Sequence, residues 1–379
     1  MRSSKRIPDL KKILYIANIR LPTEKAHGAQ IMKACEAFVS VGLDLELVVT
    51  NRKSTIHEDP FAYYGIKTRF ALRRLLTLDT LRWGSVGYIF ESVVFALSAL
   101  FYAQKNHFDI FYGRDEIVLA IISFFTKKKI FWESHDGAWN IWAKYLVTRA
   151  QGCIVVTKSA VDFYKEHGVS PSRLLAVPNG IDLDAFQSPE SQEDARKRLG
   201  LPIDKKIALY IGRLDGWKGT DTLLDASREL PTDMVVAIIG GEKEQIEELR
   251  PRYPQVLFLG YRPFRELRDN QAAGDVLVLP NTAKNTTSTR FTSPMKLFSY
   301  MAAGKPIVAS DLPSIREIVS EQMAIFFEPD NALSLAHAIK TALGDPALAK
   351  GVADKAQSQI ARYSWHARAE SIRRFIEHV

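Results

Sequence analysis

Cysteine is scarce: 379 residues hold two, Cys35 and Cys153. They stand far apart in unlike surroundings, so neither a disulfide framework nor a cysteine metal centre is indicated, and a reducing compartment fits. No GxGxxG and no GxxxxGK[ST] occurs, which removes the dinucleotide fingerprint and the Walker phosphate loop. The most apolar stretch, VGYIFESVVFALSALFYA (86–103), is eighteen residues with one glutamate. That is just under the roughly 20 residues of a spanning helix, and it reads as a buried or interfacial helix. The opening MRSSKRIPDLKKILYIANIR is basic and then apolar, but Asn18 and Arg20 interrupt it and no small-residue cleavage site follows, so it reads as a first strand rather than a signal peptide. Internal repeats and low-complexity tracts are also missing.

What is present is an alternation of short apolar runs with segments of helical spacing. The first half carries KILYIA (12–17), LELVVT (45–50), FDIFYG (108–113), KIFWES (129–134) and CIVVT (153–157). The second carries KIALYIG (206–212), MVVAIIG (234–240), VLFLG (256–260), DVLVLP (275–280) and PIVAS (306–310). Continuous apolar strands separated by helices imply parallel sheets covered on both faces, so two sets imply an α/β chain of two doubly wound, Rossmann-like domains. The polar, Pro-bearing passage at 177–204 puts the join near residue 185, giving domains 1–185 and 186–379, with the last helix a candidate to pack back on the first. Ligands of such sheets sit at the carboxyl ends of strands, and with two domains a cleft between them is the expected site.

Charge is uneven. Residues 1–185 hold 25 Lys+Arg against 18 Asp+Glu, whereas 186–379 hold 26 against 25. Lys67, Arg69, Arg73, Arg74 and Arg82 precede the apolar stretch. This excess suits anionic lipid head groups, nucleic acid, a phosphorylated acceptor or simply a solvated face. No nucleic-acid motif accompanies it.

Three strand ends carry candidate chemistry. In YIGRLDGWKG (210–219), Arg213 follows a strand while Lys218 and Gly219 open the next helix; two cations and a close-approach glycine suit a diphosphate, and the alternative is a pair of solvated charges. In FWESHDG (131–137), His135 follows a hydrophobic strand, where it can donate to a substrate hydroxyl while a neighbouring carboxylate fixes its tautomer. No partner ligand stands at helical spacing, so no metal is expected. His27 and Gly28 open a helix after the first strand, where Gly28 can admit a substrate to the backbone. In RFTSPMKLFSYMAAGKPIVASD (290–311), Ser293 is the expected N-cap and Pro294 the first helical residue, with Gly304 as the stop. A helix start at the lip of a parallel sheet suits a phosphate or sugar oxygen.

TKSAVDFYKEHGVSPSRLLAVPNGID, YIGRLDGWKG, GYRPFRELRDNQAAGDVLVLPN and SPMKLFSYMAAGKPIVASDLPSIREIV together resemble the retaining family-4 glycosyltransferases (glycosyl transferases group 1), most specifically over 153–320. The resemblance implies a GT-B fold and metal-independent transfer of a sugar, with its anomeric configuration kept, from a nucleotide diphosphate sugar to an acceptor. No cofactor is implied. It makes Arg213 and Lys218 the diphosphate pair and His135 a contact to the transferred sugar, these three being the catalytic candidates. It makes Gly28 a neighbour of the diphosphate, Tyr261 and Arg262 the nucleobase region, and Gly219 with Thr292, Ser293, Pro294, Met295, Lys296 and Leu297 holders of phosphate and sugar oxygens. The family commonly has two glutamates where this chain has Phe291 and Ser299; a serine at 299 can give the ribose one hydrogen bond but no charge. The expected protein is cytoplasmic, able to lie peripherally on the inner face of a membrane, and builds a surface polysaccharide or lipid-linked glycan. The alternative is a degenerate, non-catalytic relative that binds glycan or partners an active transferase.

Overall fold

The computed structural model describes residues 11–379; the basic opening, residues 1–10, lies outside the described residues. By its internal contacts the chain divides into two units: unit 1 runs to Gly180 and takes back Trp365–Val379, and unit 2 is Ile181–Ser364. Against the sequence expectation of 185, the division falls five residues earlier, and the closing helix Trp365–His378 belongs to unit 1.

Unit 1 has a seven-stranded sheet, β1 (Lys12–Ala17), β2 (Asp44–Thr50), β3 (Ala71–Leu75), β4 (Ile110–Gly113), β5 (Lys129–Ser134), β6 (Gly152–Val155) and β7 (Leu174–Ala176), in the order β3-β2-β1-β4-β5-β6-β7. Unit 2 has six strands, β8 (Lys206–Ile211), β9 (Met234–Ile239), β10 (Val256–Phe258), β11 (Val276–Leu279), β12 (Ile307–Ser310) and β13 (Ile325–Phe327), in the order β10-β9-β8-β11-β12-β13. Every named pairing is parallel. These are two Rossmann-like parallel-sheet units, the GT-B type of fold. In each sheet the strand order reverses once, between β1 and β4 in unit 1 and between β8 and β11 in unit 2, and the crevice outside that reversal is where ligands collect.

Local sequence explains where the helices start. Asp115, Asn140 and Thr157, each beyond a strand end, accept hydrogen bonds from the first-turn amides of the helices Glu116–Phe125, Ile141–Arg149 and Lys158–Glu166. The helix Met295–Ala303 differs from expectation. Its N-cap is Pro294, in an extended conformation (ψ 115°) and with no side-chain cap, and not Ser293, which is buried one residue earlier. Proline suits that place because an N-cap needs only a carbonyl, and Pro294 O accepts from Leu297 N at 2.9 Å. Gly304 ends the helix in the left-handed region, as the sequence predicts.

One glycine is fixed by both conformation and space. Gly219 has φ +68°, and a Cβ there would fall 1.7 Å from the carbonyl oxygen of Pro280, beyond β11. The turn carrying Lys218 is thereby pressed against the switch point of the second sheet. Gly219→Ala combines left-handed strain with a backbone collision that cannot relax cheaply, so it should cost on the order of 2 kcal/mol or more. A lowered melting temperature of unit 2 checks this; an unchanged one contradicts the packing.

Candidate functional site

In unit 2 the carboxyl end of the sheet gathers cations. Arg213 follows β8 with its side chain 75% exposed, and its Nε lies 3.3 Å from Asp215. Lys218 closes a short 3-10 turn, Gly216–Lys218. Lys296, on the first turn of the helix Met295–Ala303, reaches back to the same place. Its Nζ donates to the Tyr210 hydroxyl at 2.7 Å and lies 4.1 Å from the centre of that ring. Tyr210 in turn donates to the carbonyl of Arg213 at 2.8 Å, so one hydroxyl ties the lysine to the backbone of the cationic turn. A Cβ on Gly212 would stand 2.5 Å from Lys296 Nζ, so the glycine makes room for the ammonium.

These cations disfavour one another's charge. Burial lowers Lys218 to about 8, with Arg213 adding to the fall and Asp215 opposing it. Lys296 is driven well below the ordinary lysine value by burial and then by Lys218, again against Asp215. Beside them the helix start carries no side-chain cap and no acidic residue in its first turn. Cations with lowered pKa at an uncapped helix N-terminus constitute a site that gains from an incoming anion.

Unit 1 builds the opposite arrangement. Glu133, on β5, is wholly buried. Its Oε1 lies 2.9 Å from both Arg114 Nη2 and Arg368 Nη2 and 2.5 Å from His135 Nε2, and Tyr112 donates to Oε2. Burial alone would raise this carboxyl; Arg114, Arg368 and the histidine bond outweigh it and hold it well below its usual range. Arg368 comes from the closing helix, where its Nε also donates to Pro178 O at 3.0 Å. Arg114 donates to Gln30 Oε1 at 2.8 Å on the helix Ala26–Ser40. His135 is lowered to about 4, by burial first and then by Arg114, against the pull of Glu133. It is therefore neutral at physiological pH, and with Nε2–H given to Glu133 the remaining Nδ1 is an acceptor. With that tautomer the ring offers a ligand hydroxyl an acceptor and no donor.

The other expected residues fall as follows. Arg213, Lys218, Gly219 and Lys296 come together in unit 2, with Thr292, Ser293, Pro294, Met295 and Leu297 around the helix start. Tyr261, 62% exposed, and Arg262 lie past β10 at the same end of the sheet, two strands from β8. Gly28 is explained within unit 1: a Cβ would fall 2.2 Å from the Tyr64 hydroxyl, which donates to Thr23 O and accepts from Thr23 N. Ser299 is 2% exposed, donates to Lys296 O and accepts from Gln271 Nε2, both at 2.9 Å, so its hydroxyl is already engaged inside the unit. Sequence reasoning missed Arg114, which obeys the same strand-end rule as Arg213, and Arg368, which carries no local signal at all.

Residues 205–345 match the family model described as Glycosyl transferases group 1. The matched stretch lies within unit 2. A D-inositol 3-phosphate glycosyltransferase of Xylanimonas cellulosilytica is 25% identical over 223 residues, 55% of this chain and 52% of that protein. The Bacillus subtilis protein TuaC, named for teichuronic acid biosynthesis, is 30% identical over 164 residues, 43% of this chain and 40% of that one. The chain thus spans about half or less of the length of these curated relatives. A solved structure of Anabaena Alr3699/HepE, in complex with UDP and glucose, superposes with a TM-score of 0.78 at 17% identity, covering 97% of this chain and 100% of that one, a likeness of fold.

Two outcomes follow for this protein. His135 and His27 both stay neutral in the fold to about pH 4, His27 because of burial and then Lys25, Arg114 and Arg52, whereas unfolded histidine protonates near 6.5. The unfolded state therefore binds more protons in this window, and stability is full above about pH 6.5 and falls as pH drops toward 4. His135→Gln should flatten the decline of melting temperature over that window by on the order of 2–3 kcal/mol at pH 4; an identical slope in the variant contradicts a neutral His135. Ser299→Glu would bury a carboxylate beside Gln271 and should cost about 1–3 kcal/mol without tightening nucleotide binding. Tighter binding at unchanged melting temperature would show instead that position 299 reaches the ligand.

Proposed function

We propose that the protein is a retaining, metal-independent glycosyltransferase that moves a hexosyl group from a nucleotide diphosphate sugar to a glycan or lipid-linked acceptor. The observation carrying this reading is the convergence of Arg213, Lys218, Lys296 and an uncapped helix start at the switch point of unit 2. Phosphoryl charge develops on the leaving group as the glycosidic bond breaks, and these cations offset it without a metal ion. The acceptor hydroxyl arrives on the face from which the diphosphate departs, a leaving phosphate oxygen takes its proton, and no protein nucleophile is needed. His135 Nδ1 accepts a hydrogen bond from a sugar hydroxyl. The UDP and glucose of the Anabaena neighbour support a nucleotide sugar as donor, and the name of TuaC supports surface-polysaccharide assembly. A cytoplasmic protein, peripheral on the inner face of the membrane, fits that role.

If Arg213 holds the diphosphate, Arg213→Ala should weaken nucleoside diphosphate by on the order of 1.5–3 kcal/mol and leave nucleoside unaffected, since only the former carries the charge. Titration calorimetry with both ligands decides it, and equal losses remove the assignment.

An anion beside Lys218 and Lys296 raises both pKa values. Binding near pH 8 should therefore take up protons, and affinity should fall as pH rises above about 8. Calorimetry in buffers of different ionisation enthalpy measures the uptake; none at pH 8 contradicts lysine contact. Should neither nucleotide binding nor sugar-nucleotide hydrolysis be found, the non-catalytic, glycan-binding alternative takes its place.

A further inference from the structure

The helix Gly84–Asn106 in unit 1 is apolar on its outer as well as its inner side. Its two innermost polar residues, Glu91 and Ser92, are fully buried: Glu91 pairs with Arg52 Nε at 2.9 Å and Ser92 accepts from Asn18 Nδ2 at 3.1 Å. Its outward stripe is apolar. Val86, Phe90, Leu97 and Phe101 follow helical spacing and are 74, 46, 48 and 61% exposed. The chain just before the helix widens this face. Thr77 and Thr80 donate to the carbonyls of Glu91 and Gly87, and Ser98 donates to Leu76 O, so residues 76–80 are strapped along the helix with Leu76 and Leu78 exposed. A solvated helix turns charge outward; this one buries Phe95, Ala96, Ala99 and Leu100 and yet carries a second apolar stripe on its outer side, so its outer face is not built for water.

The charges around the face select the occupant. Arg82 lies against the ring of exposed Trp83 at one end of the helix, and Lys105 over the Phe101 ring, 4.3 Å from its centre, at the other. The neighbouring helix Glu116–Phe125 ends in exposed Phe124 and Phe125, followed by exposed Lys127 and Lys128. Between Leu76 and Asn106 the carboxylates are Asp79, exposed, and Glu91, buried inward. Exposed apolar side chains along one helix face, a tryptophan at its end and cations around them match the interfacial zone of a bilayer with anionic head groups. Spanning is ruled out by the ion-paired inner face.

We propose that this face of unit 1 docks on an anionic lipid bilayer, with the helix lying in the interfacial plane. The proposal rests on the peripheral placement above and is independent of the sugar-transfer reading. Co-sedimentation with vesicles of phosphatidylcholine, alone and mixed with phosphatidylglycerol, tests it. The protein should partition onto the mixed vesicles, less so as salt rises. The double variant Phe90→Ser, Phe101→Ser should lose about tenfold or more of that partition. Arg82→Gln with Lys105→Gln should lose several-fold, and gives a second readout should the apolar variant fold poorly. Both variants should keep nucleoside diphosphate binding, a property of unit 2. The proposal is overturned if the wild type stays in the supernatant with both vesicles at low salt, or if the well-folded variants sediment like it. It is equally overturned if light scattering shows a dimer that the Phe90→Ser, Phe101→Ser variant loses, which would make a second copy the occupant. Lost nucleotide binding with vesicle binding intact would count against the transfer reading alone.

Discussion

A carboxylate without access to water must be matched by charge and hydrogen bonds, and Glu133 has two guanidinium groups, a histidine and a tyrosine hydroxyl around it. Breaking such a buried pair from one side typically costs about 3–5 kcal/mol, because the orphaned charge stays in the interior. That penalty makes Glu133 a fixed point of unit 1. It sets the tautomer of His135, holds Arg114 against the helix Ala26–Ser40, and draws Arg368 with the closing helix onto β5. Aromatic packing reinforces the same seat, since Phe375 lies edge-on to Phe131 and Gly152 leaves space for its ring. The geometry of a histidine at a strand end is thus decided by a residue more than two hundred positions away.

The two units use charge in opposite senses. Unit 1 closes its ionic cluster on itself, whereas in unit 2 one carboxylate, Asp215, acts on Arg213, Lys218 and Lys296 together. The first arrangement gives rigidity. The second stores unfavourable repulsion that an anion relieves, which is the electrostatic form of a binding site. The hydroxyl of Tyr210 keeps the second arrangement compact by linking the helix start to the turn after β8.

The sequence made the centre of each sheet legible, and of the four edges only β10. The central strands, apolar on both faces, were identifiable from composition because burial on both sides demands it. The unread strands, β3, β7 and β13, are all edges. β3 is half exposed and carries two arginines, and β7 and β13 are three residues each, too short for a pattern. The same limit applies to the sites. Arg213, Lys218 and the Ser-Pro helix start could be found because strand-end position is local information. The N-cap shifted by one residue, because Ser293 is buried rather than turned to the helix. The use of Ser299 depends on Gln271 and Arg368 depends on β5, both partnerships between distant segments that no local pattern encodes.

Unit 1 is discontinuous, built from the chain up to Gly180 and from Trp365–Val379. On a ribosome the chain emerges in order, so the sheet holding Glu133 is made while Arg368 does not yet exist. Until the closing helix arrives, that carboxylate has lost one of its two guanidinium partners, and unit 2, continuous from Ile181 to Ser364, is free to fold first. The sheet made first therefore has its buried carboxylate fully matched only when the helix made last is in place.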